Sequence, residues 1–489
     1  MTDSKPTIVW FRQDLRLEDN PALAASAQRG GPVIPVYVYA PQEEAPWAPG
    51  GASRWWLHHS LEALSKYLRS VGSRLILRHG DILAALRALI RETGAGAVFW
   101  NRRYEPQAVA QESLLAATLL EEGIEIDTFN ASLLFEPWDM GTKDGKPYRV
   151  FTPFWRACLL AETPAEPLPS PSRLTPPARW PQSHELADLE LEPRPDWVEG
   201  PHATWQPGAT GAMKRWRAFF ENRVDRYARD RNRPDREGVS ALSPHLHHGE
   251  ISPRLMWHAL LQRRTTRKAA SARGVETYMQ QLVWREFAHH LLYHFPHTTD
   301  EPLRPEFGSF PWQEDEDQLL AWQKGRTGYP IVDAGMRQLW VTGWMHNRTR
   351  MIVASFLVKD LLLSWQAGAR WFWDTLVDAD LANNTLGWQW TAGCGADAAP
   401  YFRIFNPVTQ GERFDPHGDY VRRWVPELSG LGDRWIHKPW EAPAGVLRDA
   451  RVVLGESYPR PIVDHAEARG RALAAFSRVK SARSASKRR

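Results

Sequence analysis

The chain has 489 residues, of which 43% are hydrophobic and 24% are charged, a balance typical of a globular protein with two or three domains. No apolar run reaches the roughly 18–20 residues of a membrane span, and the first residues lack the apolar core of a signal peptide. Two widely separated cysteines predict a reduced, cytoplasmic protein without a disulfide framework. The net charge is +4, but residues 469–489 contain eight Lys or Arg and no acid. The basic charge is therefore concentrated at one end, which is predicted to be a disordered tail over 479–489.

The first 130 residues alternate strand-like and helix-like segments. Five short runs are apolar and rich in β-branched residues, and amphipathic patterns lie between them. This alternation predicts a doubly wound α/β domain with a parallel sheet over 1–130. No G-x-G-x-x-G fingerprint follows the first run. The predicted strands are Thr7–Phe11, Val33–Tyr39, Arg74–Arg78, Ala97–Trp100 and Ile124–Phe129.

The chain changes character over residues 131–205, where ten prolines between positions 164 and 201 exclude long regular elements. We predict a long Pro-rich linker there. Helical periodicity dominates residues 206–478, which are predicted to form a larger all-α domain. Its main predicted helices are Ala212–Asp230, Ser252–Gln262, Gly274–Tyr293, Asp315–Lys324, Asp333–Thr342, His346–Lys359 and Ala367–Leu376.

Tryptophan is unusually frequent, with 25 residues, and Trp388 and Trp390 lie beside a pair of asparagines. An indole is easily oxidised and offers a face on which an unpaired base can stack. The segment from Asp378 to Phe405, together with Arg12–Pro21 after the first strand, resembles the photolyase/cryptochrome family. The resemblance extends from Trp10 to Val463. It implies that the all-α domain binds FAD and that the α/β domain holds a light-harvesting antenna chromophore.

The resemblance also implies which residues contact FAD. Hydroxyl and backbone N–H groups of the Ser240–Ser243 loop suit phosphate oxygens. Arg350 and Asp378 are implied to pair beside the flavin ring, although a structural ion pair is the alternative. Asn384 is implied to lie near the flavin N5, where a neutral amide favours the reduced flavin; a turn or cap is its alternative role. The implied contacts are Tyr227, Ser240, Ala241, Leu242, Ser243, Arg285, Arg350, Asp378, Asp380 and Asn384.

Three tryptophans occupy the positions of the family's electron-transfer triad, namely Trp312, Trp365 and Trp388. The resemblance implies that an electron vacancy moves through them outward to the protein surface. With Asn384 and Gln281 they make up the implied catalytic set. Four other tryptophans are interpreted as core residues: Trp322, Trp340, Trp344 and Trp373.

A lesion in DNA reaches a buried cofactor only if the enzyme flips it out of the stack. Trp284 and Trp390 match the two walls of the family's pocket for cyclobutane dimers. Gln281 occupies the position at which many bacterial relatives have Glu. This difference bears on the efficiency of repair and on whether the substrate is a cyclobutane dimer or a (6-4) photoproduct. The (6-4) photolyases have two histidines at the positions of Asn347 and Met351, whereas this chain has no histidine at either position. The implied DNA-binding residues are Arg231, Gln281, Trp284, Asn347, Arg348, Met351, Trp390 and Arg403.

The antenna site is predicted at the end of the fourth strand, where ligands bind in parallel α/β sheets. The predicted contacts are Asn101, Tyr104 and Glu105, and the chromophore implied by the resemblance is 5,10-methenyltetrahydrofolate. No metal site is predicted. His290 and His294 are four residues apart, but without a further ligand cluster they are interpreted as helix surface.

The resemblance implies light-driven repair of cyclobutane pyrimidine dimers, in which excited reduced FAD donates an electron to the flipped-out dimer and recovers it afterwards. The implied partner is UV-damaged DNA, with no membrane, and the protein is expected to be a monomer. The alternatives are a cryptochrome-type blue-light photoreceptor and a (6-4) photolyase. A dark flavin oxidoreductase and a non-catalytic DNA-binding protein are further alternatives.

Overall fold

The computed structural model describes residues 4–193, 199–266, 269–398 and 403–486. They divide into two compact units, neither of which is a single run of sequence. The first unit contains Met1–Asp225, Ser240–Pro296 and Val377–Ala382, and the second contains the remaining segments. The predicted boundaries at 130, 205 and 478 follow changes in composition rather than these units. They remain a prediction.

The first unit contains a five-stranded parallel sheet, whose strands are β1 Thr7–Phe11, β2 Val33–Tyr39, β3 Ile76–His79, β4 Ala97–Asn101 and β5 Glu125–Phe129. Their order in the sheet is β3-β2-β1-β4-β5. The central strand β1 and its neighbour β4 are buried along their whole length, whereas no residue of the edge strand β5 is fully buried. The predicted doubly wound sheet is therefore confirmed.

Helices cover the sheet because successive side chains of a strand point to opposite faces. Val9 of β1 belongs to one apolar cluster and Ile8 to another. Asn20 and Asp81 cap two of the helices by accepting hydrogen bonds from backbone N–H groups. The helices of this part are α1 Pro21–Arg29, α2 Gly51–Ser70, α3 Ile82–Thr93 and α4 Pro106–Glu121.

The Pro-rich segment runs along the first unit. It contains one helix of ten residues, α5 Phe151–Leu160, a 3₁₀ turn at Leu186–Leu189 and the short α6 Glu199–Thr204. Its backbone forms hydrogen bonds with the α/β part; for example, Val33 N of β2 donates to the Thr175 carbonyl of this segment at 2.9 Å. The prediction that long regular elements are excluded therefore holds for the described part of this segment. Residues 194–198 of the predicted linker lie outside the described residues.

The rest of the described chain is helical, as predicted. A π-helical turn, Phe356–Asp360, directly follows the helix that ends at Ser355. In chain order the helices are α7 Ala209–Asn222, α8 Tyr227–Asp230, α9 Ser243–His247, α10 Pro253–Thr266, α11 Ala269–His294, α12 Glu316–Gln323, α13 Pro330–Thr342, α14 Asn347–Ser355, α15 Trp365–Thr375, α16 Leu381–Ala392, α17 Pro407–Phe414, α18 Asp419–Trp424, α19 Ala444–Asp449 and α20 His465–Ser486.

The end of the chain differs from the prediction of a disordered tail over 479–489. Helix α20 continues to Ser486, and residues 487–489 lie outside the described residues. Apolar positions such as Ala468, Ala472 and Val479 are buried, which explains why the basic composition of this segment does not prevent a helix. Among the described residues, no helix combines the length and apolarity needed to cross a membrane.

A buried carboxylate joins several elements of the first unit. Glu250 is 1% exposed and accepts hydrogen bonds from Trp56 Nε1 at 3.0 Å and Gly208 N at 2.7 Å. The Ser60 hydroxyl also donates to it, and His245 Nδ1 is a further partner. We expect Glu250→Ala to lower the free energy of unfolding by about 3 kcal/mol or more, because it leaves buried donors unpaired. Urea denaturation measures this change.

The matched control for Glu250→Ala is Glu62→Ala. The Glu62 carboxylate bonds only to Lys66 on the exposed side of α2 among the contacts the structure gives it. Surface ion pairs of this kind contribute little to stability. Equal stability of the two variants would contradict a structural role for the buried Glu250 carboxylate.

Candidate functional site

The loop Ser240–Ser243 belongs to the first unit and brings four predicted cofactor contacts together in one turn. Ala241 has a left-handed backbone conformation with φ 50°, and Leu242 N donates to Ser240 Oγ at 3.4 Å. The Tyr278 hydroxyl also donates to Ser240 Oγ, at 3.0 Å. Ser243 is exposed at the first turn of α9. The loop therefore presents hydroxyl and backbone N–H groups of the kind that bind phosphate.

Asp380 is a buried carboxylate of the first unit, and its Oδ2 lies 3.6 Å from both His247 Nδ1 and His289 Nε2. Burial alone would raise its pKa, but the two histidines and Arg285 outweigh burial and hold the pKa of Asp380 well below its usual range. The carboxylate is therefore ionised at neutral pH and suited to accept hydrogen bonds from a ligand. Asp378, two residues earlier in the sequence, is also buried. Neither histidine was predicted, since each is distant from Asp380 in the sequence.

Helix α11 carries three predicted site residues at helical spacing. Gln281 Nε2 donates to the Thr277 carbonyl at 3.2 Å, and Arg285 Nη1 donates to the Ser132 carbonyl at 2.6 Å. The indole of Trp284 stacks on the Phe151 ring, with centroids 3.7 Å apart and planes 7° from parallel. Phe151 covers one face of the indole, so a stacked ligand would have to use the opposite face. Phe151 was not predicted, because its contact with Trp284 is formed only by the fold.

Glu286 anchors the same helix to a loop that follows the sheet. Its Oε2 accepts hydrogen bonds from Leu134 N at 2.8 Å and Phe135 N at 3.2 Å. Burial raises the pKa of Glu286 from 4.5 to about 7, against the opposing effect of Arg285. The unfolded chain therefore releases this proton at lower pH than the folded protein. The stability associated with Glu286 is present at low pH and is lost as pH rises from 4.5 to about 7.

This pKa shift gives a measurable pH dependence. We expect Glu286→Gln to gain stability relative to the wild-type protein, by up to about 3 kcal/mol, as pH rises from 5 to 8. The gain is expected because a neutral amide does not ionise in the unfolded chain. Urea denaturation at several pH values measures it. Glu121→Gln, at an exposed position on α4, is the control and should follow the wild-type curve. Parallel curves for Glu286→Gln and the wild type would contradict the shift.

The second unit contains a group of four arginines, Arg231, Arg348, Arg403 and Arg413. The guanidinium of Arg348 lies over the Phe414 ring, 4.4 Å from its centroid, and its Nη2 donates to Asn232 Oδ1 at 2.8 Å. Burial and the three other arginines lower the pKa of Arg348 to about 10. A concentration of positive charge that lowers a guanidinium pKa is suited to bind phosphate groups. Arg413 was not predicted.

Helix α14 carries Asn347, Arg348, Arg350 and Met351, and its N-cap is His346. Arg348 N donates to His346 Nδ1 at 3.1 Å. Burial and the neighbouring guanidinium groups lower the pKa of His346 to about 3, so the ring is neutral. Asn347 is exposed and Met351 is half-buried. Arg350 belongs to the second unit and Asp378 to the first, so their predicted pairing remains a prediction.

The three triad tryptophans all belong to the second unit. Trp388 and Trp365 are each 2% exposed, whereas Trp312 is half-buried. Trp388 packs against Phe372 and Trp322, with ring centroids 5.0 and 6.2 Å apart. This burial order agrees with a path that leads from the interior to the surface. The electron-transfer role remains a prediction.

The interpretation of four other tryptophans as core residues is only partly right. Trp322 is fully buried, and its Nε1 donates to the Val353 carbonyl at 3.0 Å. Trp340, however, is 52% exposed and stacks on Trp371, with centroids 6.0 Å apart and planes 5° from parallel. The core interpretation of Trp340 is therefore wrong. Trp344 and Trp373 are half-buried.

Helix α16 holds Asn384, Trp388 and Trp390 on one element. Asn384 lies within the helix rather than at its N-cap, and its Nδ2 donates to the Ala369 carbonyl at 3.0 Å. This bond fixes the orientation of the amide group. Gln389 Nε2 donates to the carbonyls of Thr298 and Glu301 at 2.7 and 2.8 Å, which anchors the end of the helix. Trp390 is half-buried.

Tyr227, on α8, is buried, and the Arg231 guanidinium lies 5.5 Å from its ring centroid.

The three predicted antenna contacts lie together at the end of β4, and all are buried. Asn101 Nδ2 donates to Asp14 Oδ2 at 2.6 Å, and the Tyr104 hydroxyl donates to Glu136 Oε2 at 2.9 Å. Burial would raise the pKa of Glu105, but Arg103 outweighs it and lowers the pKa to about 2. These polar groups are thus engaged with protein partners, and their contact with an antenna remains a prediction.

The histidines interpreted as helix surface do not all lie at the surface. His290 is 1% exposed, and its Nε2 accepts a hydrogen bond from Tyr148 N at 3.0 Å. The interpretation of His290 as a surface residue is therefore wrong. Its neighbour His294 places its Nε2 3.0 Å from the Pro137 carbonyl. The ring of Phe154, on α5, lies 5.1 Å from that of His290 between centroids, a contact that the spacing along α11 does not reveal.

The donor set fits a dinucleotide with two phosphates. The first unit offers the hydroxyls of Ser240 and Ser243, the guanidinium of Arg285 and the ionised carboxylate of Asp380. Hydroxyl and guanidinium groups bind phosphate oxygens, and a carboxylate accepts hydrogen bonds from ribose or from a ring N–H. These residues could therefore hold FAD.

Comparison with known proteins agrees with this chemistry. A family model described as the FAD binding domain of DNA photolyase matches residues 278–478, and one described as DNA photolyase matches residues 7–172. A deoxyribodipyrimidine photo-lyase of Agrobacterium fabrum is 52% identical over 97% of this chain and 98% of that protein. Cryptochrome-1 of Arabidopsis thaliana is 41% identical over 97% of this chain and 70% of that protein. The crystal structure of a bacterial class III photolyase from Agrobacterium tumefaciens is similar, with a TM-score of 0.95, 50% identity and coverage of 98% of this chain and 99% of that one.

Proposed function

The chain belongs to the DNA photolyase family, and we propose that it is a deoxyribodipyrimidine photo-lyase that repairs cyclobutane pyrimidine dimers in DNA by means of light. The observation that carries the proposal is the similarity to a deoxyribodipyrimidine photo-lyase along nearly the whole chain. The arginine group of the second unit and the stacked indole of Trp284 support it, since they suit DNA phosphates and an unpaired base.

FAD, when bound, supplies the electron that light transfers to the dimer. The chain's own residues hold and orient the reactants. Ser240, Ser243 and Arg285 bind the phosphates, and Asp380 accepts hydrogen bonds from the cofactor. Asn384, with its amide fixed by the Ala369 carbonyl, presents a neutral group that neither gains nor loses a proton near neutral pH.

The DNA-binding residues divide into two classes. Arg231, Arg348 and Arg403 neutralise backbone phosphates, so they set the position of the duplex without reading its sequence. The second class contacts the flipped-out dimer itself. Trp284 and Trp390 offer indole faces for its rings, Gln281 offers an amide donor for a pyrimidine carbonyl, and Asn347 and Met351 are the remaining members of this class.

We propose the folate 5,10-methenyltetrahydrofolate as antenna chromophore, held in the α/β part near Glu105. A folate edge would have to share partners that Asn101 and Tyr104 already have. Release of the bound chromophores by denaturation, followed by mass spectrometry, tests the identity of the antenna. We also propose that the protein acts as a cytoplasmic monomer on UV-damaged DNA.

The repair activity is tested with photoreduced protein and an oligonucleotide that contains one cyclobutane thymine dimer. We expect the thymine absorbance to recover under blue light and not in the dark, which would also show that Gln281 supports repair. A second oligonucleotide with one (6-4) photoproduct should remain unchanged. Recovery of only the second substrate would identify a (6-4) photolyase. Failure on both substrates, with reduced FAD bound, would favour a photoreceptor.

The photoreceptor is the second candidate because the chain is also 41% identical to a plant cryptochrome. A photoreceptor does not need to discriminate damaged from undamaged DNA. Binding of the two kinds of oligonucleotide in the dark therefore separates the candidates without a need for catalysis. A preference for the dimer favours repair.

A further inference from the structure

Three side chains of the first unit form a group outside the proposed cofactor and DNA sites. His59 belongs to α2, Glu192 follows the 3₁₀ turn Leu186–Leu189, and His202 belongs to α6. Each offers one nitrogen or oxygen atom, and these three atoms lie within 4.8 Å of one another. Two imidazoles and a carboxylate are a common ligand set of Zn²⁺. The sequence does not reveal the group, because its members come from distant segments.

The state of His59 suits a metal ligand. Its Nε2 is buried and has no hydrogen-bond partner among the described residues, and it lies 3.8 Å from Glu192 Oε1. Burial, followed by the adjacent His58 and His202, lowers the pKa of His59. The ring is therefore neutral at neutral pH and keeps a lone pair for a cation. A hydrogen bond to Glu192 would need a shorter distance, so the present contact leaves this nitrogen unsatisfied.

Two of the three side chains are exposed and can rotate. The side chain of His59 is 20% exposed and that of Glu192 is 51% exposed, while His202 also lies at the surface. Ligand atoms around a tetrahedral Zn²⁺ lie about 3.3 Å apart, given bonds of about 2.0–2.1 Å. The three atoms must approach one another by at most about 1.5 Å, which rotation of an exposed side chain provides.

Trp55 supports the two imidazoles from beneath. Its ring centroid lies 4.9 Å from that of His59 and 5.1 Å from that of His202, edge-on in both cases. The imidazole centroids are themselves 4.9 Å apart, with planes at 70°. Trp55 Nε1 lies 3.4 Å from His202 Nε2, a weak bond that metal binding through that nitrogen would replace. Such packing explains the positions of the rings, but it does not explain why a carboxylate faces them.

We propose that His59, Glu192 and His202 bind one divalent transition-metal ion, with Zn²⁺ as the preferred cation and water in the fourth position. The ion would tie Glu192 and His202, which flank a Pro-containing segment, to helix α2. No repair step is assigned to this ion. Its effect would be to stabilise the attachment of Glu192 and His202 to α2, and the inference does not depend on the proposed repair activity.

The test is titration of chelator-treated, full-length FAD protein with ZnCl₂ in a calorimeter. We expect one Zn²⁺ per chain, and affinity at least about tenfold weaker in His59→Ala and in His202→Ala. Affinity should also fall below about pH 6, where free imidazoles become protonated. The matched control is His184→Ala, since His184 is an exposed histidine that faces Asp188. This control should bind as the wild type does.

Glu192→Gln provides an independent variant, because an exposed side chain can change without loss of the fold. The flavin absorbance spectrum shows whether each variant has folded. Zn²⁺ should raise the unfolding temperature of the wild type and of His184→Ala by the same amount and that of His59→Ala by less. The proposal is overturned if the wild type takes up no Zn²⁺, or if the three ligand variants bind it as tightly as the wild type. An equal loss in His184→Ala would also overturn it, since binding would then be non-specific.

Discussion

Replacing Trp388 by phenylalanine is expected to lower the rate of light-driven reduction of bound oxidised FAD by more than about tenfold. A phenyl ring is far harder to oxidise than an indole, and a rise of only about 1.4 kcal/mol in a barrier already gives a factor of ten. Trp388 is buried and packs edge-on against Phe372 and Trp322. The smaller ring leaves space but introduces no clash. Loss of oxidised-flavin absorbance under blue light, with an external thiol as donor, measures the rate.

The control is Trp322→Phe, because Trp322 is equally buried and touches Trp388 but lies outside the proposed triad. It should keep a rate close to that of the wild type. Repair by chemically reduced protein should survive in Trp388→Phe, since the indole is proposed to restore the reduced flavin and not to split the dimer. Equal loss of photoreduction in both variants would mean that packing around the indole, and not its oxidation, controls the rate.

The packing around Trp388 also shows what the sequence alone could reveal. A Cβ added to Gly368 would lie 2.1 Å from Trp388 Cη2, so the indole lies directly against the backbone of α15. The spacing of the tryptophans indicates the triad, but it does not show this contact. Substitution of Gly368 therefore tests packing at the same place where Trp388→Phe tests chemistry.

The strands were predictable because buried parallel strands are continuous apolar runs, and four of the five begin within one residue of the prediction. The third begins two residues late, since its pairing with β2 starts at Ile76. The helix predicted over 346–359 was less accurate. The structure has α14 up to Ser355 and then a π-helical turn, within which Lys359 is buried and donates from Nζ to the Ala392 carbonyl at 2.8 Å. The position of this buried amine depends on the end of a distant helix, α16, which the local periodicity of the sequence does not reveal.

The site could be predicted one residue at a time but not as a set of partners. The resemblance indicates Ser240, Asp380 and Trp284, because these positions carry a recognisable pattern. Their supports are Tyr278, His289 and Phe151, which contact them only after folding. The solvent exposure of individual tryptophans could not be predicted either. The chain has 25 tryptophans, and of two interpreted alike as core residues Trp340 is half exposed while Trp322 is fully buried.

Replacing Trp284 by alanine is expected to weaken binding of dimer-containing DNA by about 10–100-fold and to leave binding of undamaged DNA nearly unchanged. Loss of base stacking on one aromatic ring costs about 1–3 kcal/mol. Phe151 holds the indole by a parallel stack at 3.7 Å, so Phe151→Leu should weaken dimer binding in the same direction but less. Fluorescence anisotropy with labelled oligonucleotides, in the dark, measures both affinities. Darkness prevents repair during the titration.

Arg348→Ala provides the contrast to Trp284→Ala. Its guanidinium belongs to the arginine group of the second unit, which we propose binds phosphates. Its loss should weaken binding of both oligonucleotides to a similar extent and reduce the slope of log affinity against log salt by about one. The two variants thus separate recognition of the lesion from attraction to the backbone. If Trp284→Ala lowered both affinities equally, the indole would act as a general support of DNA binding, and it would not form a wall of the dimer pocket.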